Sequence, residues 1–190
     1  VIDLGLVLPL ALFVVLAALF VAVLRRASRV IAEVREAVAF REGIHAVVER
    51  GDAGLAGLAE TAEPLRRPGG APIDEDPCLV VIAAAREAVV WGRERTRDLV
   101  APPPLEQSRS ATMDELARAE EAIRLIEHGV AVLASAPDGP RAMEGRTAVK
   151  RGYIRIAHAR AGLREQATRV AAWRAAGEDS SFGRRRRLSR

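Results

Sequence analysis

Chemistry in this chain would have to come from its histidines, its hydroxyl side chains or its carboxylates, and the spacing of each argues against it. His45, His128 and His158 stand apart from one another and from the lone cysteine, Cys78, with no HExxH or CxxC pattern. A metal site built from those donors would need such spacing. The histidines read instead as surface or half-buried helix residues. Gly69 and Gly70 follow no strand, so they have no phosphate-cradle context. Ser108, Ser110 and Thr112 have no histidine or acid with a sequence-level reason to lie beside them, and they read as linker and capping residues. Glu120, Glu121 and Glu127 alternate with Arg118 and Arg124, the pattern of exposed helix-face ion pairs. The expectation is a non-enzymatic protein with no catalytic residue, no metal, no cofactor and no small-molecule substrate.

One dense charge run remains. The C-terminal segment carries Arg184, Arg185, Arg186, Arg187 and Arg190. It reads first as a solvated, self-repelling disordered tail. The functional alternative is attraction to anionic lipid, worth about 1 kcal/mol per arginine near the surface. Nucleic acid has less support, because no aromatic platform is interleaved with the charges.

The elements that position these groups begin with residues 4–24, LGLVLPLALFVVLAALFVAVL, a stretch without a charged side chain. Its length is close to the ~20 residues a helix needs to cross a hydrocarbon core. The sequence therefore predicts a membrane span, placed in residues 1–24. Asp3 precedes the run and Arg25 and Arg26 follow it, the reverse of a cleaved signal peptide. Arg25 and Arg26 are the expected membrane-interface anchors. With Arg29 and Arg35 they predict an N-terminus outside and residues 25–190 on the cytoplasmic side of an inner (plasma) membrane.

Composition bounds the remainder of the chain. The protein has 190 residues, 4% aromatics and a net charge of +4. The portion beyond the apolar run suffices for one modest domain. Cys78 cannot form an intramolecular disulfide and reads as a packing residue in a reducing compartment. Lys150 is the only lysine, so the basicity is almost all arginine in an alanine-rich chain. A GC-rich genome produces that bias without a nucleic-acid partner.

In chain order, Ala27, Val30, Ile31, Val34 and Val38 recur at three- and four-residue steps, followed by Ile44, Val47 and Val48. They predict a helical stalk over 25–50 that Gly51 and Asp52 end by capping. A domain over 51–177 comes next. Its helices are expected at about 77–100, 112–136 and 140–176, with a basic disordered tail at 178–190. The first helix is opened by Asp74, Glu75, Asp76 and Pro77. Its apolar stripe is expected at Leu79, Ile82, Ala85, Val89 and Thr96. The second is opened by a capping box, Thr112 to Glu115, and carries Leu116, Ala119, Ile123, Ile126, Val130 and Leu133 on one face. The last keeps a seven-residue repeat through Val149, Tyr153, Ile156, Leu163, Ala167 and Val170, although Arg160 and Arg174 fall on the seam. Gly145, Gly152 and Gly162 each weaken that helix by about 1 kcal/mol relative to alanine. The predicted fold is all-α: a single N-terminal transmembrane helix continuing into a cytoplasmic stalk and an antiparallel helical bundle.

A long first helix, a loop-rich middle with a further helix over 79–96, and the stretch MDELARAEEAIRLIEHGVAVLASA from Met113 to Ala136 resemble the MotA/TolQ/ExbB proton-channel family. The resemblance covers about residues 1–136. It implies an oligomeric proton path beside a smaller single-span partner. Pro137, Asp138, Gly139, Pro140 and Arg141 stand where that family would enter a second membrane helix, so no channel residue carries over. A fragment, a reading frame shifted after Ala136, or a subunit lacking the channel would each account for the departure.

The leading expectation is a scaffold or interaction subunit of a membrane complex. Its partners would be the lipid bilayer and either further copies of itself or other membrane-protein subunits. A truncated channel-family subunit and an anionic-lipid or nucleic-acid binder acting through the arginine tail are the alternatives.

Overall fold

The computed structural model describes residues 4–67 and 75–173, with the side chains of residues 4–12 and 14 excepted. Four helices account for nearly all of it: α1 (Leu4–Leu65), α2 (Glu75–Asp98), α3 (Glu106–Ser135) and α4 (Gly139–Ala172), with one 3-10 turn at Pro103–Leu105. Among the described residues there is no strand. One compact unit spans Ala39–Trp173, and the part of α1 up to Val38 falls outside it.

Contacts within the Ala39–Trp173 unit fix the topology. Gly43 lies against Leu99 and Gly54 against Ala88, so α1 and α2 run antiparallel. Arg86 meets Glu127 and Arg93 meets Glu120, which sets α2 antiparallel to α3. Gly129 faces Gly145 while Ile126 faces Gly152, which does the same for α3 and α4. Asp52 takes Arg160, and Arg41 reaches Trp173 at the end of α4, closing the ring. The result is an up-down-up-down four-helix bundle.

A heptad repeat underlies the packing. In α4 the buried positions are Ala142, Gly145, Val149, Gly152, Ile156, Ala159, Leu163, Gln166 and Val170, alternating three- and four-residue steps. In α1 the same alternation joins Ile44, Val48, Gly51, Leu55, Leu58 and Ala62, all buried. A 3.5-residue period keeps one seam facing its neighbours along the length of a left-handed bundle.

The expected membrane span is overturned. Among the described residues no helix is long and apolar enough to cross a membrane. The apolar run ends at Leu24. Arg25 and Arg26 then interrupt it, and the side chains of residues 4–12, on which the rest of that reading fell, lie outside the described residues. The predicted fold class is corrected accordingly, to an all-helical bundle without the span.

Three local expectations also change, each because packing outweighs a local signal. Gly51 and Asp52 do not end α1, which runs on to Leu65. Gly51 is buried beside Leu163 and Leu116, and Asp52 is held by two arginines of α4, so helical backbone is retained where sequence alone suggests a stop. Thr112 and Glu115 do not cap α3, which already begins at Glu106 after the proline-stiffened turn. Thr112 is buried mid-helix and its Oγ1 donates to the Ser108 carbonyl at 2.8 Å. On α2 the buried stripe is Cys78, Ile82, Ala85, Ala88, Val89, Gly92 and Thr96, and Leu79 lies outside it. The turn into α4 does use its glycine as expected of that residue type: Gly139 has φ +81°, a conformation other residues rarely adopt.

Candidate interaction surface

Several ion pairs link the helices of the bundle. Asp52 of α1 accepts from Arg160 Nε at 2.8 Å and from Arg164 Nη2 at 2.7 Å. Burial would raise the Asp52 pKa, but the hydrogen bonds and charges of both arginines hold it below the ordinary carboxylate value. Near the end of α1, Glu63 takes Arg66 and Arg67, and the Arg66 guanidinium lies 4.6 Å from the centre of the Tyr153 ring on α4. The Arg66 and Arg67 hydrogen bonds bring Glu63 down to about 2. Arg50 stacks over Trp91 at 4.7 Å while pairing with Glu87. These are clamps between neighbouring helices, and each guanidinium is turned to a carboxylate or a ring of the same bundle.

Such clamps carry a pH dependence whose sign is fixed. A carboxylate with a depressed folded pKa adds stability above its unfolded value, near 4, and loses it as pH falls through the folded value. The midpoint of urea unfolding is therefore expected to hold steady above about pH 5 and to drop towards pH 2. Asp52→Asn should flatten that drop, and should cost about 1–2 kcal/mol at neutral pH by weakening two hydrogen bonds from charged donors. An unchanged midpoint for Asp52→Asn would show that the clamp contributes nothing.

No group of three or more His, Cys, Asp or Glu side chains that could hold a metal ion occurs among the described residues. The buried polar residues are Thr96, Thr112, Glu115 and Gln166. Thr96 and Thr112 satisfy their hydroxyls on the preceding turn. Glu115 accepts from Arg118 at 2.8 Å, and its other carboxylate oxygen is buried without a partner, as is Gln166 Oε1. Gly162 makes room for that carboxylate, since any side chain there would collide with it.

What stands out at the surface is apolar. Along the first part of α1, Phe13, Leu16, Leu19, Phe20 and Val23 are all more than half exposed, and Val30 and Ile31 extend the patch. Arg25, Arg26 and Arg29 share another face of the helix with Ala18 and Ala22. Arg25 and Arg26, expected at a membrane interface, are thus placed directly after the densest exposed apolar residues.

No family model, curated protein or solved structure matches the chain.

Arg184, Arg185, Arg186, Arg187 and Arg190, the other predicted surface contacts, lie outside the described residues. Deleting residues 183–190 tests them: binding to anionic vesicles that disappears with the deletion, and weakens sharply with salt in the intact chain, is the expected result of a tail-driven contact. Vesicle binding that survives the deletion unchanged rules the tail out.

The interhelical clamps were not foreseeable from spacing. Asp52 and Arg160 are separated by more than a hundred residues, and only the heptad position of Arg160 beside Ile156 and Leu163 hints that it faces a neighbour.

Proposed function

We propose that the chain is a non-enzymatic scaffold or interaction subunit of a larger protein assembly, attached through the exposed apolar residues of α1. The single observation that carries this reading is the cluster Phe13, Leu16, Leu19, Phe20 and Val23, left open to solvent on a helix whose later turns bury one face. Contiguous exposed apolar surface of this kind marks interaction sites in natural proteins. The Ala39–Trp173 bundle supplies a stiff body, with a buried core and ion pairs linking its helices. A proton-channel-like subunit needs polar residues along a path. The buried faces of the described helices offer only Thr96, Thr112, Glu115 and Gln166.

The test replaces Leu16, Leu19 and Phe20 with glutamate in the full chain and follows its size by native electrophoresis of extracts from its own cells. The expected result is a shift from a large species to the size of the free chain, with the melting temperature of the bundle unchanged. An unchanged large species would overturn the proposal, as would a bundle that no longer folds, since the residues would then belong to its core.

A further inference from the structure

Between α3 and α4 the bundle buries two oxygens that nothing in the chain satisfies, Glu115 Oε2 and Gln166 Oε1. Glu115 is 8% exposed and Gln166 6%. The register of the two helices brings them together. Leu133 faces Gly145, Gly129 faces Val149 and Ile126 faces Gly152. Carried on in the same three- and four-residue steps, that register sets Glu115 beside Gly162, as observed, and Gln166 opposite Thr112, one turn away. Side chains on a helix lean towards its N-terminus. In an antiparallel pair Glu115 therefore leans towards the level of Gln166, while Gln166 leans back over Gly162, where the missing side chain leaves room for the Glu115 carboxylate.

The donors at this level are already engaged. Arg118 Nη1 donates to the other Glu115 oxygen at 2.8 Å, and the Thr112 hydroxyl donates to the Ser108 carbonyl at 2.8 Å. A buried acceptor left unpaired is costly, and in native proteins such groups are met by the protein or by ordered water. What the two oxygens call for is a small neutral group with two donors. It needs no net charge, because Arg118 already balances Glu115. Water has that chemistry.

We infer that a single internal water molecule is bound between α3 and α4, donating one hydrogen to Glu115 Oε2 and the other to Gln166 Oε1. It ties the two helices together at a level where polar side chains take the place of apolar ones in the seam. The inference concerns the interior of the bundle and goes beyond the scaffold reading, on which it does not depend.

Crystals of the full chain that diffract well enough to show water test the ligand. An ordered water within about 3.2 Å of both oxygens is the expected result. No such water, or Gln166 Nε2 in direct contact with Glu115 Oε2, would overturn it. A cycle of variants in urea tests whether the two acceptors share one site. Methionine keeps nearly the shape of both side chains without their polar atoms. Glu115→Met and Gln166→Met should each lower the unfolding midpoint, because each leaves the remaining oxygen with half a site, and the double variant should unfold no earlier than either single one. Lowerings that add in the double variant would overturn the shared site, and so would a double variant that does not fold. The size of the species formed through α1 is a separate measurement and alone bears on the scaffold.

Discussion

Gly129→Ala is expected to destabilise the bundle by about 2 kcal/mol, while Gly57→Ala stabilises it by about 0.5–1 kcal/mol, although both replace a helix-interior glycine by the best helix former. A methyl group on Gly129 would lie 2.6 Å from Val149 Cγ2, 2.7 Å from the Gly145 carbonyl oxygen and 2.9 Å from the Val149 backbone nitrogen. Two of those three atoms are backbone and cannot rotate aside, so α3 and α4 would have to separate. Forcing extra atoms into a packed interface costs about 1–3 kcal/mol, and the upper end applies where backbone must move. The gain of roughly 1 kcal/mol in helix propensity offsets only part of it. At Gly57 nothing lies within 4 Å of the added methyl, so the propensity gain stands alone. Urea midpoints at unchanged slope measure both, and a melting temperature lower by roughly 8 °C for Gly129→Ala is the thermal counterpart. Shifts of the same sign in the two variants would show that close approach of α3 and α4 is not what the glycine serves.

The same contacts explain where the sequence misleads. Gly145 and Gly152 read as weak points of α4, yet that helix is unbroken over Gly139–Ala172. Their missing side chains let backbone meet backbone: a methyl on Gly152 would lie 2.9 Å from the Ala122 carbonyl oxygen, and one on Gly145 3.0 Å from that of Gly129. Propensity counts the cost of a glycine within its own helix and is blind to the neighbour that needs the space. The Gly51-Asp52 pair is a similar case, a stop signal by local rules and an interhelical contact by position. Periodicity fared better, because it reports the face to be buried whatever covers it. Val149, Ile156, Leu163 and Val170 are all on the buried stripe of α4, and Leu116, Ala119, Ile123, Ile126, Val130 and Leu133 are on that of α3.

The exposed apolar part of α1 was half legible. Residues 4–24 announce themselves by hydropathy alone, and a sliding count of apolar residues cannot tell a lipid-crossing helix from a helix awaiting a helical partner. Exposure divides α1 into a packed part and an open part, and that division emerges only once the packed positions are known. Interhelical pairs such as Asp52 with Arg160 stay hidden because charge spacing predicts partners three or four residues away, not across the bundle.

Leu116→Ala is expected to be among the most damaging single truncations, at about 3–5 kcal/mol. Leu116 is 0% exposed and sits where three helices converge. Its Cδ atoms fill the space left by two glycines, Gly92 of α2 at 3.3 Å and Gly51 of α1 at 3.9 Å from where their methyls would stand. Neighbouring side chains usually relax into a cavity and soften the loss, but glycines have nothing to relax with, so the void persists and the cost falls in the upper part of the usual range. The pair of Leu116 and Gly92 gives a sharper forecast. Gly92→Ala alone should be close to neutral, its propensity gain set against crowding of Leu116 and Val47. In the Leu116→Ala background the crowding by Leu116 disappears and the added methyl borders the cavity. The same substitution should then restore about 1–2 kcal/mol, a coupling well outside the additivity expected of independent sites. Urea unfolding of the wild type, both single variants and the double variant closes the cycle, and additive effects would mean that Leu116 is not the residue filling the space above Gly92.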